Sequence, residues 1–432
     1  MDAGSTRVRL GLMMFGQYLI LGAWAVPLST YLLTPPDRGG LGFSPDQTSW
    51  IYSTTALASL VAPLFVGLLA DRLFATQKLL GFVHILGAAI FFGAARYCSH
   101  RQEELRNSVD IVVGTDATFA VLMVLMCGVS FVTVLSLSLC NVTGFRNLRE
   151  PKKSFGSIRL FGTVAWIVVN VGLDMFGTAL SAQPLYIAAA GSLAMGVYSF
   201  TLPHTPPARL GKGVGEALGL PALKMFRDSS FRILVVSALC MAAVQQFYGV
   251  YANPFLSDLG SAKPTALQSI AQVSELVCLL AFPFVLARYG FKVTLAIGVF
   301  GWVLRNAIFA TGWLPLIAVA GLPMHGMCFT FFFVVCNVYV DRHAPQHLRA
   351  SAQGILTFTV AGIGTLLGNV LSGRAREAIQ SEGVAGWTWF WLVPAAAAAV
   401  VFLLFIVGFH EQSPSHSRKA KSEGALSNSA TV

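Results

Sequence analysis

Charged residues are scarce in this chain. Only 11% of its 432 residues are Asp, Glu, Lys or Arg, whereas 55% are hydrophobic. Soluble globular domains carry roughly 25% charged residues. This deficit excludes an ordinary soluble protein and predicts a chain that lies largely within a lipid bilayer. The net charge of +10 does not indicate a nucleic-acid partner, because the basic residues lie between apolar segments, mostly on one predicted side of the membrane.

The chain also lacks a cysteine framework and catalytic motifs. Six of its seven cysteines fall in or at the ends of apolar segments, Cys98 is predicted to lie in a loop, and no pair has Cys-x-x-Cys spacing. The sequences GxSxG, HExxH and the phosphate-binding Gly-Lys-Ser/Thr are absent too. We therefore expect no enzyme, no metal ion and no cofactor. The sequence also shows no nucleotide-binding domain, which ATP-driven transporters require. If the chain is a transporter, its energy would have to come from an ion gradient or from the gradient of the solute itself.

What the chain has instead is a series of long apolar segments. They predict an all-α integral membrane protein of twelve transmembrane helices, arranged as two six-helix halves. The segments lie at roughly residues 10–33, 48–70, 79–96, 117–140, 157–179, 184–203, 232–253, 265–287, 293–312, 314–338, 352–373 and 387–409.

The basic residues predict how these helices are oriented. Of the 29 Lys and Arg residues, 20 fall on one side of the predicted membrane and 7 on the other. Basic loops stay on the cytoplasmic side, so both termini are predicted to be cytoplasmic. The Pro-, Gly- and Lys/Arg-containing stretch 204–231 is predicted to link an N-terminal half (1–203) to a C-terminal half (232–410). The Ser- and Lys-rich tail 411–432 is predicted to be disordered.

One acid interrupts the apolar segment Pro264–Ala287, namely Glu275. A carboxylate inside a bilayer is costly unless it is paired or hydrated, so it is a candidate functional group. Gln268, Gln272 and Glu275 follow at i, i+4 and i+7, which places them on one helix face. This face either joins neighbouring helices by hydrogen bonds or lines a solute pathway.

Polar faces of the same kind occur in other predicted helices. They comprise Arg159, Thr163 and Trp166 in the fifth, Gln246 with Gln245 and Tyr248 in the seventh, and His325 and Phe329 in the tenth. Aromatic rings and amides together suit a planar ligand that is stacked and hydrogen-bonded at its edges. Alternatives stay open for two of these positions and for Arg305, a further basic residue in the ninth predicted helix. Arg159 could reach the membrane surface, His325 could be a structural donor, and Arg305 could pair with Glu275 or with a helix backbone.

A short charged motif follows the second predicted helix. Gly67, Asp71 and Arg72 form the pattern G-x-x-x-D-R, with Lys78 beyond it. With the six-plus-six arrangement, this motif resembles the major facilitator superfamily, in which two halves rock around a site at the bilayer midplane. The resemblance implies that Gly67, Asp71 and Arg72 form a latch that holds neighbouring helices in one conformation.

Longer segments resemble the bacterial nucleoside:proton symporter family, a branch of that superfamily. They include GQYLILGAW, SIRLFGTVAWI, SIAQVSELVCLLAFPFVLARYGFK and HLRASAQG, and the likeness runs from about residue 10 to 410. It implies an importer of nucleosides, driven by protons, in a bacterial inner membrane. It also implies nucleoside contacts from Arg159, Thr163, Trp166, Gln246, Gln272, Glu275, His325 and Phe329, with Glu275 and His325 as candidates for proton coupling.

Three positions depart from the pattern of that family. Gly249 stands where the family has Asn, Thr330 stands where it commonly has Asp, and His325 stands at a Tyr position. The second departure leaves Glu275 as the strongest candidate for a membrane carboxyl that couples to protons. Two alternatives remain: a symporter for a sugar or another small organic solute on the same fold, and a non-transporting membrane receptor or scaffold.

Overall fold

Helices make up nearly all of the secondary structure. The computed structural model describes residues 3–107, 116–207, 215, 219–379 and 382–411, and these residues include no β-strand. Nine helices in this part of the chain are long and apolar enough to cross a membrane. The remaining predicted segments fall on shorter or composite helices, so the exact count of twelve stays a prediction.

The N-terminal helices are set by local sequence signals. Helix α3 begins at a capping box, in which the Gln47 N–H donates to Ser44 Oγ (3.2 Å) and the Ser44 N–H donates to Gln47 Oε1 (3.1 Å). A π-helical stretch, Val66–Leu73, follows α3 directly. The helices are α1 Ala3–Ala25, α2 Leu28–Leu33, α3 Pro45–Phe65, α4 Thr76–Asn107, α5 Asp116–Asn147, α6 Pro151–Met175 and α7 Gln183–Ser199.

The length of α4 corrects one prediction. Cys98 does not lie in a loop but is buried within α4. The helix continues past the apolar segment because its last turns consist largely of good helix formers, including an ion pair between Arg101 and Glu104 at i, i+3. The apolar segment ends where the polar turns of α4 begin, but the helix continues through those turns to Asn107.

The C-terminal helices follow a 3₁₀ helix, Leu220–Arg227. The stretch labelled α10 consists of two helices, one for each of two predicted spans. They meet at a kink at Gly290, where φ is 74° and ψ is −179°. Glycine suits this turn because it adopts positive φ without a steric cost. The helices are α8 Ser229–Asp258, α9 Pro264–Leu267, α10 Ser269–Ala310, α11 Leu314–Leu316, α12 Met324–Cys328, α13 Val335–His343, α14 Arg349–Thr357, α15 Thr365–Ile379 and α16 Gly386–Gly408.

Several of the later helices are joined by π-helical turns instead of loops. These turns are Ile317–Gly321, Phe329–Val334 and Phe358–Gly364. Such turns occur frequently at functional sites. Phe329, one of the predicted site residues, begins the second of them.

Buried apolar side chains form separate clusters along the chain. One cluster draws its buried members from residues 10–202, and two more draw theirs from residues 222–409 and 247–391. The two halves meet chiefly where α3 packs against α15 and where α6 packs against α9 and α10. The half boundaries 1–203, 204–231 and 232–410 stay predictions. Parts of the predicted linker (208–214 and 216–218) and the tail 412–432 lie outside the described residues.

Candidate functional site

A cavity of about 340 Å³ lies between the two sets of helices. Its walls come from α1, α3 and α6 on one side and from α8, α10, α12 and α15 on the other. All eight residues predicted to contact a solute lie in this lining, namely Arg159, Thr163, Trp166, Gln246, Gln272, Glu275, His325 and Phe329. The helical spacing therefore identified one shared surface, and the binding role of each residue stays a prediction.

Further lining residues were not in the predicted set. They are Tyr18, Tyr52, Thr55, Gln245, Tyr248, Gln268 and Thr365, together with apolar neighbours. Gln245, Tyr248 and Gln268 could have been predicted from the sequence, because they lie on or beside the polar faces of their helices. Tyr18, Tyr52 and Thr55 could not be predicted in this way. The apolar part of α1 has few polar positions, and the polar positions of α3 are spread over several faces.

Arg159 faces the cavity and not the membrane surface. Its guanidinium carbon Cζ lies 3.8 Å from the ring centroid of Tyr18, a cation–π contact between α6 and α1. Arg159 also interacts attractively with the charge of Glu275, on α10. The cavity thus holds a cation from one half opposite an acid from the other.

Glu275 is the single carboxylic acid among the described lining residues. Its side chain is 18% exposed, and its Oε2 lies 3.9 Å from Nε2 of His325. The next helix approaches closely here, because the Gly326 N–H donates to Ser274 Oγ at 3.0 Å. A Cβ at position 326 would overlap the backbone of Ser274. The glycine therefore permits the contact that places Glu275 beside His325.

Arg305 takes neither of the partners proposed from the sequence. It is fully buried, and among the described residues no carboxylate lies within 4.0 Å of it. Its Nη1 lies 3.2 Å from Nδ1 of His325, and its Nη2 donates to Gln245 Oε1 at 3.2 Å. Its Cζ is 4.5 Å from the centroid of the Tyr248 ring. Arg305 is therefore held by side chains behind the cavity wall.

His325 stacks against two aromatic rings. Its ring centroid is 5.2 Å from that of Tyr248, with an interplanar angle of 25°, and 5.9 Å from that of Phe329, at 21°. Stacking against two nearly parallel rings restricts the plane of the imidazole. Its two nitrogens then point in defined directions, one towards Arg305 and the other towards Glu275.

Other polar residues in the membrane segments serve packing. Gln17 Oε1 contacts His84 Nε2 at 3.1 Å inside the N-terminal cluster, away from the cavity. Thr330 is fully buried, and its Oγ1 has no hydrogen-bond partner among the described residues.

The structure describes only part of the charged motif after α3. Arg72 is exposed, whereas the exposure of Gly67 and of Asp71 lies outside what the structure describes. The latch role stays a prediction.

Polar contacts join the two halves at one end of the bundle, where α3 begins and α6 and α8 end. Tyr251 Oη lies 2.7 Å from Ser49 Oγ, and Asp174 Oδ2 accepts from the Ala266 N–H at 2.6 Å. Other contacts include the ion pair of Arg374 with Asp46 and the hydrogen bond of Thr30 with Asn253. We call this end the closed end.

At the other end the cavity continues. A second cavity of about 330 Å³ shares Gln245, Gln246, Phe329 and Thr365 with the first. It extends along Phe333, Asn337 and Leu356, towards the basic turn between α13 and α14. The polar site therefore connects to the end that carries most basic residues.

Two bundles of apolar helices around a shared polar cavity, joined by polar contacts at one end, define an integral membrane transporter with the major facilitator fold. The chain belongs to the nucleoside H⁺ symporter family, whose model matches residues 4–414. The predicted family is thereby confirmed. The all-α membrane fold class, without its count of twelve helices, and the prediction that the chain is not an enzyme are confirmed as well.

Individual relatives cover nearly the whole chain. YegT of Escherichia coli (strain K12) is 31% identical over 94% of each chain. The xanthosine permease of the same organism is 30% identical, over 94% of this chain and 96% of the permease. The crystal structure of the nucleoside transporter NupG superposes with a TM-score of 0.80 at 26% identity, covering 95% of this chain and all of NupG.

Proposed function

We propose that this protein imports nucleosides together with protons across a bacterial inner membrane, by alternating access. The observation that carries the proposal is the cavity itself, in which the eight predicted contact residues converge with further polar and aromatic side chains from both halves. Its size is within the range of ligand pockets that enclose a small molecule. Membership of the nucleoside H⁺ symporter family supports the same solute and the same coupling ion.

The lining supplies what recognition of a nucleoside requires. The amides of Gln246 and Gln272 and the carboxylate of Glu275 hydrogen-bond ribose hydroxyls and base edges, because they offer both donors and acceptors. Trp166 and Phe329 provide rings on which a planar base stacks. Because these residues come from both halves, movement of one half against the other changes the distances between them and therefore the contacts with the solute.

Glu275 carries the coupled proton. It is the single acid in the described lining, and the family's usual acid position is occupied here by Thr330, whose hydroxyl is not a carrier of protons at physiological pH. Arg159 lines the same cavity as Glu275, and its guanidinium attracts the carboxylate whenever Glu275 is ionised. Protonation of Glu275 and binding of the solute together change the charge of the site, which couples the two events.

The structure corresponds to an inward-facing state if the closed end faces the periplasm. The distribution of basic residues supports this orientation, with both termini in the cytoplasm. Import then requires the contacts at the closed end to break and the halves to close around the second cavity. Gly67, Asp71 and Arg72 would latch the opposite state.

Uptake by proteoliposomes tests the proposal. Labelled uridine should accumulate when a proton gradient is imposed, and unlabelled nucleosides should compete whereas free bases and sugars should not. A protonophore should abolish accumulation but leave counterflow exchange intact. Competition by sugars would indicate the sugar symporter, and binding without counterflow would indicate a receptor.

A further inference from the structure

The contact between Arg305 and His325 determines which nitrogen of the imidazole carries a hydrogen. A guanidinium has only N–H donors and no acceptor. At 3.2 Å from Arg305 Nη1, Nδ1 of His325 must therefore accept. A neutral imidazole whose Nδ1 accepts has its hydrogen on Nε2. This Nε2 is the nitrogen that faces Glu275, 3.9 Å away.

We propose that Arg305 is a positioning residue that holds His325 in the Nε2–H tautomer, so that His325 is a fixed hydrogen-bond donor to the solute. His325 is then not a proton carrier. The part of the inference that concerns the solute rests on the proposed function, whereas the tautomer does not.

The orientation of Arg305 is itself defined by its neighbours. Gln245 Oε1 accepts from Arg305 Nη2 and also from Trp302 Nε1–H, at 3.2 and 3.1 Å. Because both partners are donors, the amide oxygen of Gln245 must point towards them. The face of the guanidinium lies over the ring of Tyr248. Arg305 is thus clamped on two sides and can present Nη1 to His325 in one way only.

Protonation of His325 would oppose this arrangement. An imidazolium would aim an Nδ1–H at an N–H of Arg305, and it would place two cations side by side in a buried position. Among the described residues no carboxylate lies within 4.0 Å of Arg305. Glu275 lies 3.9 Å from His325 Nε2, farther away than the 3.2 Å that separates Nδ1 from the guanidinium of Arg305. The charged and titratable groups around the pair are Glu275, Arg159, Tyr18, Tyr248, Cys278 and Cys328.

The fixed Nε2–H of His325 beside Glu275 determines which solute groups can bind between the two side chains. Glu275 accepts hydrogen bonds when it is ionised, and the Nε2–H of His325 donates one. A donor and an acceptor 3.9 Å apart suit a hydroxyl or an amide-like edge that both accepts and donates. Ribose hydroxyls and the Watson–Crick edges of bases have this character. A solute atom that can only donate would leave His325 without a partner.

Nuclear magnetic resonance of the purified full-length protein, with ¹⁵N in its histidine rings, tests the tautomer directly. The chain has eight histidines, and loss of one signal pair in His325→Gln assigns the resonance. We expect one bare and one protonated nitrogen throughout about pH 5 to pH 8, the range in which an ordinary histidine titrates. The Arg305→Leu variant should titrate in this range, whereas Arg305→Lys, which keeps a donor, should not. A second proton on wild-type His325 within the range would overturn the proposal.

Transport assays distinguish whether His325 acts as a hydrogen-bond donor or as a proton carrier. His325→Gln keeps an N–H donor but carries no proton. We expect weaker uridine binding and slower uptake, with accumulation still driven by the gradient and the midpoint of the pH profile unshifted. Arg305→Leu should shift the pH profile in the wild-type background, but not in the His325→Gln background. Loss of accumulation in His325→Gln, or an equal shift in both backgrounds, would refute the inference. Thermal unfolding of each variant identifies a general folding defect, and uridine binding shows how far the site itself is affected. The resonance measurement of the tautomer does not depend on uridine being the solute.

Discussion

Replacing Glu275 with Gln gives the sharpest test of proton coupling. The two side chains have nearly the same shape, so the packing against Ser274 and Gly326 should persist. What is lost is the single acid in the described lining. We expect Glu275→Gln to bind and exchange nucleoside but not to accumulate it.

The size of the effect follows from one proton for each transport cycle. One pH unit supplies about 1.4 kcal/mol, which sustains roughly tenfold accumulation. A membrane potential of about 100 mV adds about 2.3 kcal/mol for each charge, or roughly a further fiftyfold. In Glu275→Gln both contributions should vanish, and the ratio of internal to external solute should fall to about one. Binding should weaken only about fivefold, because a neutral hydrogen bond replaces one to a charged group, at a cost of about 1 kcal/mol.

Proteoliposomes with an imposed pH gradient measure accumulation, and counterflow in its absence measures exchange. Glu103→Gln is the matched control, since Glu103 is exposed at the end of α4 and lies away from the cavity. Undiminished uphill uptake by Glu275→Gln would refute the coupling role. Loss of both accumulation and counterflow would instead show that Glu275 is required for binding or folding.

Two further predictions concern how the helices meet. Asp174→Asn should weaken the bond to the Ala266 N–H by about 1 kcal/mol, and so raise the fraction of molecules open at the closed end by roughly fivefold. Distances between spin labels across that end would measure it, and a distribution equal to that of the exposed-site control Asp37→Asn would contradict it. Gly326→Val should cost about 1–3 kcal/mol because its side chain meets the backbone of α10, whereas Gly93→Val, with open space around it, should not. Thermal unfolding would compare them, and equal Tm values would argue against the close contact.

Much of the site could be predicted because helical periodicity is local. Gln268, Gln272 and Glu275 share a face in any α-helix, whatever surrounds it. An acid within an apolar segment also has few stable surroundings other than a polar interior. The stripes on separate helices were therefore expected to meet, and the structure brings them into one cavity.

Local sequence was less informative about where helices end. The apolar segment 79–96 stops before Cys98 and well before the end of α4, because hydropathy reports the lipid-facing length and not the hydrogen-bonded length. Gly290 shows the reverse case, in which one residue with non-helical φ and ψ ends one helix and the next helix begins directly after it.

The amino-acid sequence alone determined the membrane class, the family resemblance and the polar faces, since each depends on composition or on residues within a few turns. Tertiary structure alone decided the partners. Gln17 binds within its own half, and Arg305 binds His325 and not Glu275. The physical reason is that a partner depends on which helices are neighbours and how each is rotated. Both are fixed by packing of the whole bundle, between residues that are distant in the chain.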